Sequence, residues 1–247
     1  METPLLQQVI QTDEHIHLCG QDFYAHPTGA LIWPREETLI VADTYLRSGY
    51  VLNALMNGAN KSFSNQIISS IEDLINTHKI KQVIALGRVF RRLDDTYHLD
   101  TEDLTLLYNM QKKVDWIWVA GAMARQLPNL VGGIRAAHFS HADIHFRAQP
   151  KRENVTNEIA AGMYPMARTE PMKFNPITNE ELLGEGTKPC FVSNSERLLM
   201  PAFGGMLGAK NILGDEFLPL FGYDDLHIQI VDSFKTYPIP QDALLAG

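Results

Sequence analysis

The chain has 247 residues, of which 45% are hydrophobic and 20% charged, and its formal net charge is -8. This balance is that of an ordinary globular protein and argues against wholesale disorder. An acidic chain does not attract nucleic acid through its overall field, so nucleic-acid binding would need a local basic patch.

Buried strands and amphipathic helices alternate in the first half of the chain. Residues 38–43 form a short apolar run that ends in a carboxylate, which is typical of a buried strand. Phe63–His78 predicts a helix, because its isoleucine and leucine residues recur on one face. Residues 82–87 and 115–120 predict two more buried strands. A second helix is expected from Thr101, as N-cap, to about Val114.

The second half of the chain changes to short strand-like runs. These runs are residues 134–139, 142–147, 158–161, 190–192 and 197–200. The prolines, glycines and carboxylates of residues 169–188 predict a long surface loop. A βαβαβ half followed by a mostly β half fits two packed sheets with helices outside, or an α+β arrangement.

The ends of the three buried strands predict where a site lies. Residues 43–45 (Asp-Thr-Tyr), 87–88 (Gly-Arg) and 121–124 (Gly-Ala-Met-Ala) follow those strands. In open α/β sheets, ligands bind just beyond the carboxyl ends of the strands. We therefore expect a cleft at this edge of the sheet.

Several longer motifs occur in order and at consistent spacing along the chain. They are residues 29–34 (Gly-Ala-Leu-Ile-Trp-Pro), 41–46 (Val-Ala-Asp-Thr-Tyr-Leu), 146–150 (Phe-Arg-Ala-Gln-Pro), 158–168 (Glu-Ile-Ala-Ala-Gly-Met-Tyr-Pro-Met-Ala-Arg) and 199–204 (Leu-Met-Pro-Ala-Phe-Gly). Together they resemble the calcineurin-like metallophosphoesterase superfamily. The resemblance is closest to its bacterial ligase-associated DNA-damage-response endonuclease (PdeM-like) branch.

The resemblance implies a fold and a chemistry. The expected fold is one α/β domain over residues 1–247, built as a four-layer αββα sandwich. The family's chemistry is phosphoester hydrolysis with two divalent metals such as manganese, which activate a water and stabilise charge on the phosphoryl oxygens. The resemblance also implies a bacterial DNA-repair setting, with DNA-repair proteins as candidate partners.

The family's metal ligands are almost all replaced in this chain. Of the metal-binding positions, only Asp43 keeps its family residue, and Met123 stands at the position of the catalytic acid. The resulting vestigial cleft positions are Asp43, Tyr45, Arg88, Ala122, Met123, Ala124, Ala148, Gly162 and Tyr164. Alanine, glycine and methionine offer no hard donor atoms. We therefore predict a pseudoenzyme with no catalytic residues, no bound metal and no cofactor.

Arg88 is the most informative of these replacements, because it stands where the family has a metal-bridging aspartate. Two like charges about 4 Å apart repel by roughly 4 kcal/mol at an effective dielectric near 20, and a divalent ion doubles this. We predict that an Asp43–Arg88 ion pair replaces the metal centre. In the alternative arrangement, Arg88 extends into solvent and Asp43 caps a local turn.

A basic group near the cleft suggests what the protein binds. Arg88, Arg91 and Arg92, with Arg47 as a further candidate, would favour phosphate in the old cleft. A solvated loop is the alternative explanation for this cluster. We expect a binding or interaction protein, and the alternatives are an active phosphoesterase or nuclease with a relocated or non-standard metal site, and a self-associating structural subunit.

Other histidines and aromatic residues have simpler explanations. His138, His141 and His145, with Asp143, match no known ligand spacing and are expected at the surface or at a hairpin edge, with a substitute zinc site as the alternative. The same surface position is expected for His15 and His17. Two further tryptophans, at positions 116 and 118, alternate on a buried strand and are expected in the core.

The cysteines and the lack of long apolar runs indicate the compartment. Cys19 and Cys190 match no disulfide framework, and reduced thiols are typical of the cytoplasm. No apolar run reaches 18 residues, so no membrane span is expected. Residues 1–14 lack the basic start and apolar stretch of a signal peptide.

Overall fold

The computed structural model describes residues 14–47, 62–90, 99–152, 155–169, 187–204, 210–222 and 226–245. Arg91 and Arg92, together with most of the loop predicted over residues 169–188, lie outside the described residues.

The first sheet has seven strands that are hydrogen-bonded in chain order. They are β1 (Glu14–Leu18), β2 (Gln21–Ala25), β3 (Leu31–Trp33), β4 (Thr38–Ala42), β5 (Gln82–Leu86), β6 (Asp115–Val119) and β7 (Ile134–Ala136). The first four strands run antiparallel to their neighbours, whereas β4 to β7 are parallel. The carboxyl ends of β4, β5 and β6 therefore meet at one edge, as the sequence predicted.

Two helices cover the outer face of this sheet. Helix α1 (Phe63–His78) has the predicted bounds, and it begins where the Ser62 hydroxyl accepts the backbone N–H of Asn65 at 2.9 Å. Helix α2 is shorter than expected (Thr101–Gln111). The N-cap is Asp100 and not Thr101, because Asp100 has the extended backbone that an N-cap needs.

The second sheet contains the remaining nine strands. They are β8 (His138–His141), β9 (Ile144–Arg147), β10 (Glu158–Ala160), β11 (Pro165–Arg168), β12 (Thr187–Ser193), β13 (Arg197–Leu199), β14 (Lys210–Asn211), β15 (His227–Val231) and β16 (Thr236–Ile239). The single strand expected over residues 134–139 is two strands in different sheets, β7 and β8.

The two sheets face each other across a shared apolar core. Trp33 and Ile84 of the first sheet belong to the same buried cluster as Phe146, Phe191 and Leu198 of the second. Such a cluster is the main stabilising feature of a two-sheet sandwich.

Each sheet has a second packed face. Trp116 and Trp118 are buried beneath the helices, as expected. The far side of the second sheet is covered by the short helix α3 (Leu218–Phe221). Phe221 of this helix and Phe217, which precedes it, pack against the strands. The architecture is thus a mixed α/β sandwich with two large sheets and few helices. None of the described helices combines the length and apolarity needed to cross a membrane.

Candidate functional site

A cleft of about 680 Å³ lies at the carboxyl ends of β4, β5 and β6. Strand β9 and the turns after β9 and β10 form its opposite wall. Seven of the nine vestigial positions line this cleft: Asp43, Arg88, Ala122, Met123, Ala148, Gly162 and Tyr164. Tyr45 hydrogen-bonds to Tyr164, and Ala124 is buried in the core next to the helices.

Asp43 is held by backbone groups from both sheets. Its Oδ1 accepts the N–H of Arg88 at 2.8 Å, and its Oδ2 accepts the N–H of Gly162 at 2.8 Å. The residue is 1% exposed. Burial raises the pKa of Asp43 to about 6, although the two N–H groups and the charge of Arg88 oppose this shift. Both carboxylate oxygens are therefore already bonded within the protein.

This arrangement depends on two glycines with a left-handed backbone. Gly87 has φ +80°, and a Cβ there would lie 2.3 Å from Asp43 Oδ1. Gly162 has φ +79°, and a Cβ there would lie 2.7 Å from the carbonyl oxygen of Ala148. Both positions therefore need glycine, for backbone conformation and for space.

The predicted Asp43–Arg88 ion pair is wrong. The Arg88 side chain is exposed, and its backbone N–H, not its guanidinium, contacts the carboxylate. Arg88 is exposed, as in the alternative arrangement, but Asp43 does not cap a local turn: its two partners, Arg88 and Gly162, are 45 and 119 residues away along the chain. The physical reason is that two backbone N–H groups satisfy the buried carboxylate without the cost of ordering a long arginine side chain.

Two tyrosines close one side of the cleft. The hydroxyl groups of Tyr45 and Tyr164 are hydrogen-bonded to each other. Burial, with the nearby charge of Asp43, raises the pKa of Tyr164, so its hydroxyl stays protonated at neutral pH. Both residues have positive φ, at 47° and 51°, and so does Asp43 at 47°. Non-glycine residues in this region are strained and cluster at functional sites.

The cleft also holds cationic side chains that sequence reasoning missed. Arg147 and Lys151 line it together with Arg88, and His138, which was expected at a surface hairpin, also belongs to its lining. Asp43 is the sole carboxylate among the lining residues that the structure describes. The polar lining is thus dominated by positive charge, although the chain as a whole is acidic.

A buried glutamate positions two of these cationic residues. Glu158 is 0% exposed, and its carboxylate lies 3.1 Å from Arg147 Nε and 2.8 Å from Arg197 Nε. It also accepts the backbone N–H of Lys151 at 3.1 Å, while Arg197 donates to the carbonyl of Lys151 at 2.9 Å. One sequence pattern could have indicated this cluster: Glu158 and Arg197 each lie within a short strand whose other residues are apolar.

The other candidate residues lie apart from the cleft or serve other contacts. Arg47 lies over the ring of Phe63, with 4.6 Å from Cζ to the ring centroid, and does not line the cleft. His141 pairs with Glu36 at 2.7 Å, and His145 pairs with Ser140 at 2.8 Å. His141 and His145 thus have separate partners, as the surface interpretation predicted, whereas His138 lines the cleft.

Comparison with known proteins gives a fold and no closer relationship. The sequence matches no protein-family model and no curated protein. Among solved structures, the chain is similar to a nuclease MPE from Pseudomonas putida, with a TM-score of 0.64 and 16% sequence identity. The similarity covers 92% of this chain and 100% of that one. The fold is therefore the predicted metallophosphoesterase-type sandwich, whereas the specific branch stays a prediction.

Proposed function

We propose that this chain is a degenerate metallophosphoesterase-fold protein whose cleft binds a phosphate group without hydrolysing its ester. One observation carries the proposal: the cleft has a single carboxylate, with both oxygens bonded internally, and several cationic side chains. The expected ligand is an anion, because Arg88, Arg147 and Lys151 all line the same space.

The donor atoms of the cleft do not fit two divalent metal ions. Such ions need several carboxylate and imidazole ligands in a fixed array. Asp43 is the remaining family ligand, and each of its two carboxylate oxygens already accepts a backbone N–H. Ala122, Met123 and Ala148 supply no hard donor. The residues of the cleft therefore do not support hydrolysis by a pair of metal ions.

The geometry of the cationic residues suits a phosphate. Arg147 forms an ion pair with Glu158, 3.1 Å from Nε to the carboxylate, which holds its guanidinium at the cleft wall. Lys151 has its backbone held by the same glutamate, while Arg88 is free to turn toward a ligand from the opposite wall. Hydrogen bonds between such cations and phosphate oxygens are about twice as strong as neutral ones.

The nature of the phosphate compound follows from charge and from the fold. The nuclease neighbour and the motif resemblance favour a nucleotide or an oligonucleotide end, in a bacterial DNA-repair setting. A net charge of -8 disfavours long duplexes, because binding to the duplex backbone needs an extended basic surface. We place this role in the cytoplasm, since Cys19 and Cys190 are both free thiols.

A binding titration with matched charge variants tests this function. A short 5′-phosphorylated deoxyoligonucleotide is titrated in EDTA against wild type, Arg88→Gln and Lys151→Gln, with the 5′-hydroxyl oligonucleotide for comparison. We expect the phosphate to strengthen binding and each cleft variant to weaken it at least fivefold. Lys113→Gln is the control, because Lys113 pairs with Glu72 outside the cleft. Equal affinity for both oligonucleotides, or equal losses in cleft and control variants, would disprove the proposal.

An active phosphoesterase or nuclease is the second candidate. The nuclease neighbour and the retained Asp43 favour it. An active enzyme should hydrolyse a generic phosphodiester in the presence of manganese, and the Asp43→Asn variant should lose that hydrolysis. Our proposal predicts a rate no higher than that of buffer with manganese.

A further inference from the structure

The β1–β2 hairpin brings two histidines and an aspartate together at the edge of the first sheet. His15 and His17 lie on one face of β1, because residues two apart on a strand share a face. Asp22 lies directly opposite His17 on β2. The Asp22 Oδ1 atom is 2.7 Å from His15 Nε2 and 2.9 Å from His17 Nδ1. The three ligand atoms lie within 4.8 Å of one another.

Two imidazoles and a carboxylate form a familiar donor set for a transition metal. Zinc sites with three protein ligands keep an open position for water or another molecule. At zinc–ligand distances of about 2.0–2.2 Å in tetrahedral geometry, donor atoms are roughly 3.3 Å apart. The two histidine–aspartate spacings need to open by about 0.4–0.6 Å, and the two imidazole nitrogens already lie within 4.8 Å of each other, adjustments that exposed side chains permit.

Neighbouring groups hold this cluster in place. The side chain of Gln229, on β15, donates to the backbone carbonyl of His15 at 2.9 Å and so ties β1 to the second sheet. The ring of Tyr24 contacts the His15 ring edge-on, with centroids 5.5 Å apart. Such outer contacts orient histidine ligands in metal sites.

A surface pocket beside the cluster supplies a second, independent observation. This pocket, of about 640 Å³, is lined by His15, His17 and a third histidine, His227, on β15. It shares no lining residue with the cleft. Two of the three cluster residues thus border a cavity that carries another imidazole, whereas Asp22 lies outside its lining.

We propose that His15, His17 and Asp22 bind one divalent transition-metal ion, Zn²⁺ in the first instance, with a fourth coordination position left open to solvent. The site is separate from the cleft and from the phosphate binding proposed for it. The bound ion would link β1 to β2 and stabilise the free edge of the first sheet.

A zinc titration with single-residue variants tests the site. Untagged full-length protein is titrated with Zn²⁺ against a chromophoric chelator, and its melting temperature is measured with and without Zn²⁺. We expect one ion per chain and a higher melting temperature. His17→Gln and Asp22→Asn should each lower the affinity at least tenfold and abolish the thermal shift. Affinity should also fall as the pH is lowered, because protons compete with the metal ion for its ligands.

His145→Gln is the matched control, because His145 is a partly exposed histidine paired with Ser140 on the other sheet. It should bind Zn²⁺ like wild type. The site is refuted if the double variant His15→Gln/His17→Gln retains wild-type zinc affinity, or if wild type shows no zinc binding. Phosphate binding in EDTA is measured on His17→Gln in parallel, so that failure of this site and failure of the cleft proposal are distinguishable.

Discussion

Replacing Asp43 with asparagine should change the pH dependence of stability. The folded-state pKa of Asp43 is about 6, against an ordinary value of 3.8. Because the folded pKa is raised, the fold favours the protonated form. Its contribution to stability is therefore full below about pH 4 and is lost as the pH rises through 6. The difference between the two pKa values corresponds to about 3 kcal/mol.

The asparagine side chain does not titrate, so the variant lacks this contribution at every pH. We expect Asp43→Asn to cost about 3 kcal/mol more unfolding free energy at pH 4 than at pH 8, relative to wild type. A separate loss of roughly 1–3 kcal/mol applies at all pH values. It arises because one amide oxygen cannot accept both the Arg88 and the Gly162 N–H groups.

Urea unfolding of both proteins at pH 4, 5, 6, 7 and 8 measures this difference, and pH effects common to both chains cancel. Asp22→Asn is a control that should show no such change between pH 4 and pH 8, because hydrogen bonds from His17 and His15 lower the pKa of Asp22 below its ordinary value of 3.8. Its stabilising effect is present above that value and is lost only as the pH falls below it. A wild-type to Asp43→Asn difference that does not vary with pH would refute the account of the buried carboxylate.

Two further predictions concern stability. Gly87→Ala should cost more than about 2 kcal/mol in urea unfolding, because its Cβ would lie 2.3 Å from Asp43 Oδ1. Gly20→Ala, with φ +71° and nothing within 4 Å of its Cβ, should cost about 1 kcal/mol, and equal costs would contradict this. Glu158→Gln should cost about 3–5 kcal/mol because it leaves the buried Arg197 and the partly buried Arg147 without their carboxylate, and a cost below about 1 kcal/mol would contradict that role.

The parts of the fold with strong local patterns were predictable from the sequence. Phe63–His78 combines a clear amphipathic period with an N-capping serine, and its predicted bounds are those of the structure. The buried strands β4, β5 and β6 were also found, since continuous apolar runs mark parallel strands covered on both faces. Because the carboxyl ends of parallel strands share one edge, the order of these strands was enough to locate the cleft.

The remaining errors come from tertiary geometry. Residues 134–139 show the alternation typical of one strand. The structure divides them between two strands, because β7 belongs to the first sheet and β8 to the second. The cationic residues Arg147 and Lys151 enter the cleft because the second sheet packs over the first, which sequence spacing does not encode. Arg88 was correctly predicted to lie at the cleft. Its side chain is exposed because backbone N–H groups, and not its guanidinium, bind Asp43, and the sequence does not show which N–H groups reach that carboxylate.

The most direct test of the central claim is a titration of Mn²⁺ followed by electron paramagnetic resonance. Untagged His17→Gln protein is used, so that the proposed edge site does not contribute. We predict that the signal of free Mn²⁺ stays undiminished by the protein, because the cleft offers one internally bonded carboxylate among cations. Loss of two Mn²⁺ ions per chain from that signal, reversed by adding the Asp43→Asn change, would contradict the account.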